Sequence, residues 1–68
     1  MDKKKAGKLI KARRFFMGMT QGELAAILNV TQGTVATWET GVAFPRPKSL
    51  IKLCDVLKIP VEELLKAG

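Results

Sequence analysis

From Thr20 to Gly41 the chain reads TQGELAAILNVTQGTVATWETG, and this stretch decides the fold. Thr20 and Glu23 have the T-x-x-E spacing of a capping box, which starts a helix at the residue after the threonine. Thr31 stands in the same position before a second short segment, Gln32 to Thr40, whose apolar residues also recur at helical spacing. Because only a short turn separates the two segments, the stretch predicts two consecutive helices packed against each other.

Apolar residues at helical spacing predict three further helices around this pair. One runs over residues 6 to 17, one begins near Pro47, and a last short one begins near Val61. No segment has the alternating pattern of a convincing strand. The sequence therefore predicts an all-α, compact five-helix domain over residues 6–66, preceded by a basic N-terminal arm over residues 1–5.

Charge is distributed unevenly along the chain. The 68 residues carry 12 Lys and Arg against 6 Asp and Glu, which gives a net charge of +6 and a pI of about 9.9. This balance favours a polyanionic partner. No basic residue lies between Phe15 and Pro45. If a helix within that interval binds nucleic acid, it has to do so through neutral groups, with charge supplied from the flanks.

The residue inventory excludes several classes of site. The chain has one cysteine, Cys54, and no histidine, so we expect no disulfide, no metal site and no cofactor. Cys54 and Trp38 fall on the apolar sides of their segments, where packing is the expected role. With no nucleophile–base pair and no phosphate-binding glycine loop, we expect no enzyme activity. No apolar run approaches the ~20 residues of a membrane span, and no secretory signal follows Met1, so we expect a cytoplasmic protein.

The stretch from Thr20 to Gly41 resembles the helix-turn-helix of the Cro and lambdoid phage repressor family, also called Xre-like. The five-helix organisation extends the resemblance over about residues 6 to 66. The shared features are Gln21 opening the second helix, Leu24-Ala25 inside it, Val30 and Val35 around the start of the third helix, Trp38-Glu39 near its end, and a Gly-then-Pro loop before the fourth helix.

The resemblance implies a role for several side chains. In such proteins the Gln at the start of the second helix, here Gln21, donates to a DNA phosphate, and the position of Gln32 reads a base edge. An Arg of the first helix and a Glu of the third form a partly buried pair in many members, and Arg14 and Glu39 occupy those places. The remaining groove-facing positions are Gly33, Ala36 and Thr37. Ile59, Val61, Leu64 and Leu65 are more apolar residues than one short terminal helix needs to bury, and family members commonly pair through this end. These four residues are the expected dimer contacts.

Elementary chemistry supports these roles separately. A helix N-terminus offers free N–H groups to a phosphate, and a Gln side chain such as that of Gln32 can form a bidentate contact with adenine. The methyl groups of Ala36 and Thr37 can pack on thymine methyls, whereas the lack of Lys and Arg here argues against guanine recognition. The expected phosphate contacts are Gln21, Thr31, Thr34, Arg46, Lys48, Lys3, Lys4 and Lys5.

We therefore expect a sequence-specific transcriptional regulator, a repressor, that binds double-stranded DNA as a weak homodimer and is encoded by a bacterium or phage and associated with the nucleoid. Two alternatives remain open from the sequence. One is a protein-interaction module of antitoxin type, whose Phe15 or Phe44 docks a protein partner. The other is a DNA binder without sequence preference, which a selection of bound sites from random DNA distinguishes.

Overall fold

Five α-helices make up most of the protein, whose computed structural model describes residues 2–67. They are α1 (Lys3–Phe16), α2 (Gln21–Leu28), α3 (Gln32–Thr40), α4 (Pro47–Leu57) and α5 (Val61–Ala67). No residue between positions 2 and 67 lies in a strand, and the all-α fold class is confirmed. Among these helices none has the length and apolar character needed to cross a membrane.

The first helix begins earlier than the sequence analysis predicts. The Asp2 carboxylate caps it by accepting hydrogen bonds from the backbone N–H groups of Lys4, at 3.0 Å, and Lys5, at 3.2 Å. An acidic N-cap of this kind stabilises a helix by about 1 kcal/mol. The expectation of a separate arm is therefore wrong for residues 3–5, which form the first turn of α1, and Met1 lies outside the described residues.

Both caps predicted within the deciding stretch are present. The Thr20 hydroxyl accepts from the Glu23 backbone N–H at 3.0 Å, and the Glu23 carboxylate accepts from the Thr20 backbone N–H at 2.8 Å. The hydrogen bond that the Glu23 carboxylate accepts from the Thr20 backbone is the main cause that lowers the pKa of Glu23. The Thr31 hydroxyl caps α3 by accepting from the Thr34 backbone N–H at 3.1 Å. Asn29, with a φ of 57°, supplies the left-handed residue that ends α2.

The core lies where all five helices meet. Trp38 is 4% exposed and Cys54 is also buried, as the spacing predicts. Burial raises the pKa of the Cys54 thiol, which keeps it neutral and unreactive at ordinary pH. The buried apolar residues are Ala6, Ile10, Leu24, Ala25, Leu28, Val35, Trp38, Leu50, Leu53, Cys54, Leu57, Ile59 and Leu64.

A glycine sets how closely α1 crosses α3. A β-carbon on Gly7 would lie 2.4 Å from the carbonyl oxygen of Trp38 and 2.6 Å from that of Glu39. Both atoms belong to backbone, so no side-chain movement could relieve the overlap. Gly7 thus permits a close backbone approach, and this approach places the N-terminal half of α1 against the C-terminal end of α3, which carries Glu39.

Candidate nucleic-acid interface

The N-termini of α2 and α3 present the polar groups expected to face DNA. Gln21 is the first residue of α2 and Gln32 the first residue of α3, so each amide side chain lies beside free backbone N–H groups. Gln32 is exposed and Gln21 is half-buried. The Gln32 Nε2 donates to Gln21 Oε1 at 2.9 Å, and the two sequence-predicted contacts therefore form one unit.

This unit is tied to the interior through Glu39. The Gln21 Nε2 donates to Glu39 Oε1 at 3.0 Å, and the Arg14 guanidinium binds both oxygens of the same carboxylate. A continuous chain of hydrogen bonds thus runs from Arg14 through Glu39 and Gln21 to Gln32. We call these four side chains the relay. The resemblance implied the Arg14–Glu39 pair, which the structure confirms. Sequence reasoning did not supply the contacts of Gln21 with Glu39 and Gln32, because positions along the chain say nothing about side-chain direction.

The Arg14–Glu39 pair at the inner end of the relay has bidentate geometry. The Arg14 Nε lies 2.6 Å from Glu39 Oε2 and its Nη2 lies 2.9 Å from Oε1, while Nη1 donates to the Met19 carbonyl at 2.8 Å. Both residues are buried. Burial acts to raise the pKa of Glu39, but the hydrogen bonds from Arg14 and Gln21 outweigh it, so the pKa lies below its ordinary value. The hydrogen bond to Glu39 raises the pKa of Arg14, and both groups are charged at neutral pH.

The other expected groove-facing positions differ in what they offer. Gly33 is exposed, and a β-carbon there would meet nothing closer than the Thr31 hydroxyl at 3.8 Å. Ala36 and Thr37 are half-buried. The Thr37 hydroxyl donates to the Thr34 carbonyl at 2.6 Å, so its proton is already used within the helix. The outer surface of α3 therefore offers methyl groups and one amide side chain rather than charge.

The expected basic flank on the α4 side lies next to this surface. Thr34, Thr37 and Arg46 border one surface depression, formed between α3 and the segment leading into α4. Asn29, Lys48 and Lys52 border a second one. Lys52 was not among the sequence-predicted contacts, although its position one helical turn after Lys48 could have indicated it. The structure thus brings basic side chains of the α4 N-terminus up to the turn and to α3.

The lysines at the start of α1 lie at the other end of α3. A β-carbon on Gly41, just after α3, would lie 2.7 Å from Lys4 Cγ and 2.9 Å from Lys4 Cα, so the two backbones pack closely. Gln32 stands at the opposite end of this helix, about 12 Å away at 1.5 Å per residue. Lys3, Lys4 and Lys5 are exposed but are not adjacent to the side chain expected to read bases.

Two of the four expected dimer contacts are not on the surface. Ile59 is 5% exposed and Leu64 is fully buried, because both complete the core beneath α4 and α1. Their assignment to a dimer surface is wrong for that reason. Val61 is half-buried and Leu65 is 44% exposed, and Ile51 of α4, which the sequence analysis did not single out, is 65% exposed.

The two aromatic residues considered as protein contacts also differ in exposure. Phe44 is half-buried and packs against the core, so it is not an exposed docking residue. Phe15 is 64% exposed, and its ring stacks on the Arg14 guanidinium at 4.6 Å from the ring centre. A cation–π contact at this distance is favourable, so Phe15 contacts the guanidinium of the buried ion pair.

Comparison with known proteins gives consistent results. A family model described as "Helix-turn-helix" matches residues 9–64. The structure is similar to that of the P22 c2 repressor protein in complex with a synthetic operator, with a TM-score of 0.86 and 27% identity over 93% of this chain and 96% of that one. It is also similar in fold to the clp gene regulator ClgR of C. glutamicum, with a TM-score of 0.81 and 24% identity over 98% of this chain and 87% of that one. A comparison with curated proteins gives no significant match.

Proposed function

The chain belongs to the helix-turn-helix family and is a DNA-binding transcriptional regulator, and we propose that it is a repressor that reads the major groove with α3 (Gln32–Thr40). Regulators of this kind are typically not enzymes. The proposal of repression draws on the similarity to the P22 c2 repressor.

The proposed mode of reading rests on which hydrogen-bonding groups of the Gln32 amide remain free. Its Nε2 donates one N–H to Gln21 Oε1 at 2.9 Å, and this leaves a second N–H and the Oε1 for another partner. One donor beside one acceptor matches the N7 acceptor and N6 donor that adenine presents in the major groove. We propose that Gln32 reads an adenine, while Ala36 and Thr37 contact thymine methyl groups.

Phosphate contacts around the reading helix would supply most of the affinity. Gln21 keeps one free N–H after donating to Glu39, and the capped N-termini of α2 and α3 present backbone N–H groups and partial positive charge to an anion. Arg46, Lys48 and Lys52 line the adjoining depressions. These groups would hold the duplex at a fixed register without reading its sequence.

We further propose a weak homodimer on two-fold symmetric DNA. The exposed apolar side chains of Ile51 and Leu65, with the half-buried Val61, lie on α4 and α5, and α3 is left free for the groove. A symmetric dimer of such units binds half-sites about one helical turn, ~34 Å, apart.

The test is selection of bound duplexes from a random library, followed by sequencing. We expect enrichment of a two-fold symmetric site with adenine at a defined position in each half. Binding without any enriched sequence would identify a DNA binder without sequence preference and refute the proposed reading role of α3. A gel shift with random duplex at low salt distinguishes the interaction-module alternative, since a protein that only docks other proteins should not shift the duplex.

A further inference from the structure

The side-chain amides of the relay could in principle point either way. An amide can present its oxygen or its NH2 group to a neighbour, and the choice has to be fixed by a group that can only donate or only accept. The relay contains one such group at its inner end. Glu39 is held as a carboxylate by bidentate contact with Arg14, and an ionised carboxylate only accepts hydrogen bonds.

The acceptor character of Glu39 fixes each later step of the chain. Gln21 has to present its Nε2 to the carboxylate, which it does at 3.0 Å, and its Oε1 then faces outward. This oxygen accepts only, so Gln32 has to present its own Nε2, which lies 2.9 Å away. Gln32 is left with one N–H and one oxygen for a base edge. The direction of hydrogen bonding along the relay is therefore set by Glu39, the third side chain from the base.

Reversal of the chain would change what Gln32 offers. If Gln21 accepted at its inner end and donated at its outer end, the Gln32 oxygen would be engaged and both of its N–H groups would be free. Two donors match the N7 and O6 acceptors of guanine, whereas one donor beside one acceptor matches adenine. The direction of hydrogen bonding in the relay thus decides between two bases at the same position.

We propose that Glu39 is a positioning residue for base recognition: its carboxylate, acting through Gln21, orients the Gln32 amide and so gives the protein its preference for adenine over guanine. This rests on the proposed function of α3 as the reading helix. Glu39 needs no contact with DNA for this role. The buried ion pair then has two functions, since Arg14 both stabilises the fold and keeps Glu39 ionised.

Two substitutions test the proposal in different ways. Glu39→Gln keeps the size of the side chain but adds an NH2 group that can donate to Gln21, so both directions of the chain become possible. Gln21→Met interrupts the chain and leaves the Arg14–Glu39 pair intact. Leu53→Val, a core change in α4, which carries no residue of the relay, is the control for loss of stability alone.

The measurement uses two duplexes that differ only at the base pair that Gln32→Ala ceases to discriminate, with A·T in one and G·C in the other. Titration of each protein on both duplexes, at a temperature where circular dichroism shows it folded, gives an adenine-to-guanine affinity ratio. We expect the ratio to fall about tenfold in Glu39→Gln and in Gln21→Met, and to be unchanged in Leu53→Val. If Glu39→Gln does not fold, Gln21→Met decides the question.

The outcomes separate this inference from the proposed function. A Gln21→Met protein that loses affinity equally for both duplexes would show that Gln21 only contacts phosphate, and would overturn the inference while leaving α3 as the reader. A wild-type site without adenine at the position read by Gln32 would also overturn it. A wild-type protein with no preferred sequence at all would refute the reading role of α3, on which the inference depends.

Discussion

Removal of one partner of the Arg14–Glu39 pair should destabilise the protein strongly. In Glu39→Ala the Arg14 guanidinium loses its hydrogen bonds at 2.6 and 2.9 Å and keeps the hydrogen bond to the Met19 carbonyl, at 2.8 Å, and the stacking on Phe15. Arg14 is 5% exposed and Glu39 8% exposed, so water cannot readily replace the lost partner. Breaking a buried pair by removing one charge typically costs about 3–5 kcal/mol. A domain of this length has a total stability of roughly 3–10 kcal/mol, so each single variant should lose a large fraction of it.

The double variant, with both Arg14→Ala and Glu39→Ala, should lose less stability than the sum of the losses in the two single variants. Once both charges are removed, neither is left buried without a partner, so we expect a coupling energy of about 2 kcal/mol. Urea unfolding at pH 7, followed by far-UV circular dichroism, gives the four free energies of unfolding that the cycle needs. Glu63→Ala, an exposed position on α5, is the control and should change stability by no more than about 0.5 kcal/mol. Additive losses in the cycle would refute the reasoning that the pair acts as a unit.

Three further predictions follow from particular contacts. Gly7→Ala should destabilise by about 1–3 kcal/mol because its β-carbon would overlap the α3 backbone. Gly22→Ala should stabilise by up to about 1 kcal/mol, because a β-carbon there in α2 would meet nothing closer than the Thr20 hydroxyl, at 3.9 Å. Equal effects in thermal unfolding would contradict this. The pKa of Glu39 is lower in the folded protein than its ordinary value near 4.3. The contribution of Glu39 to stability is therefore present above that value and is lost as pH falls through the folded pKa. When the free energy of unfolding is measured as a function of falling pH, Glu39→Gln should lose less of it than the wild type does. Leu65→Glu should abolish cooperative binding to a two-half-site duplex and spare binding to one half-site, and unchanged cooperativity would rule out α5 as the dimer contact.

The fold was predictable because its signals are local. Thr20, Glu23 and Thr31 cap helices through backbone groups within three residues of themselves, so the sequence spacing contains the geometry. The start of α1 was missed although its signal is also local. Asp2 is also a local cap, but the run of lysines after it resembles a solvated tail in composition.

The site was only partly predictable because side-chain direction depends on packing between distant segments. The pairing of Arg14 and Glu39 was inferred from resemblance. The two residues are 25 positions apart in the chain, and the crossing of α1 and α3 at Gly7 brings them together. Similarly, Ile59 and Leu64 are apolar residues near the end of the chain, and no pattern in the sequence shows that they fill the core rather than a dimer contact. The sequence shows that a residue is apolar but not whether the core or a second protomer covers it.

The central claim is that α3 reads DNA through neutral groups while the flanking basic residues supply affinity. It is tested most directly by titrating Gln32→Ala and Lys48→Ala on the best selected site and on random duplex at several salt concentrations. Gln32→Ala should keep the slope of log K against log salt and lose about 1–3 kcal/mol of discrimination at one base position. Lys48→Ala should keep the discrimination and flatten the slope by ~0.9, the value for one lost phosphate contact. A Gln32→Ala protein that is weakened equally on all sequences would contradict the assignment of α3 as the reading helix.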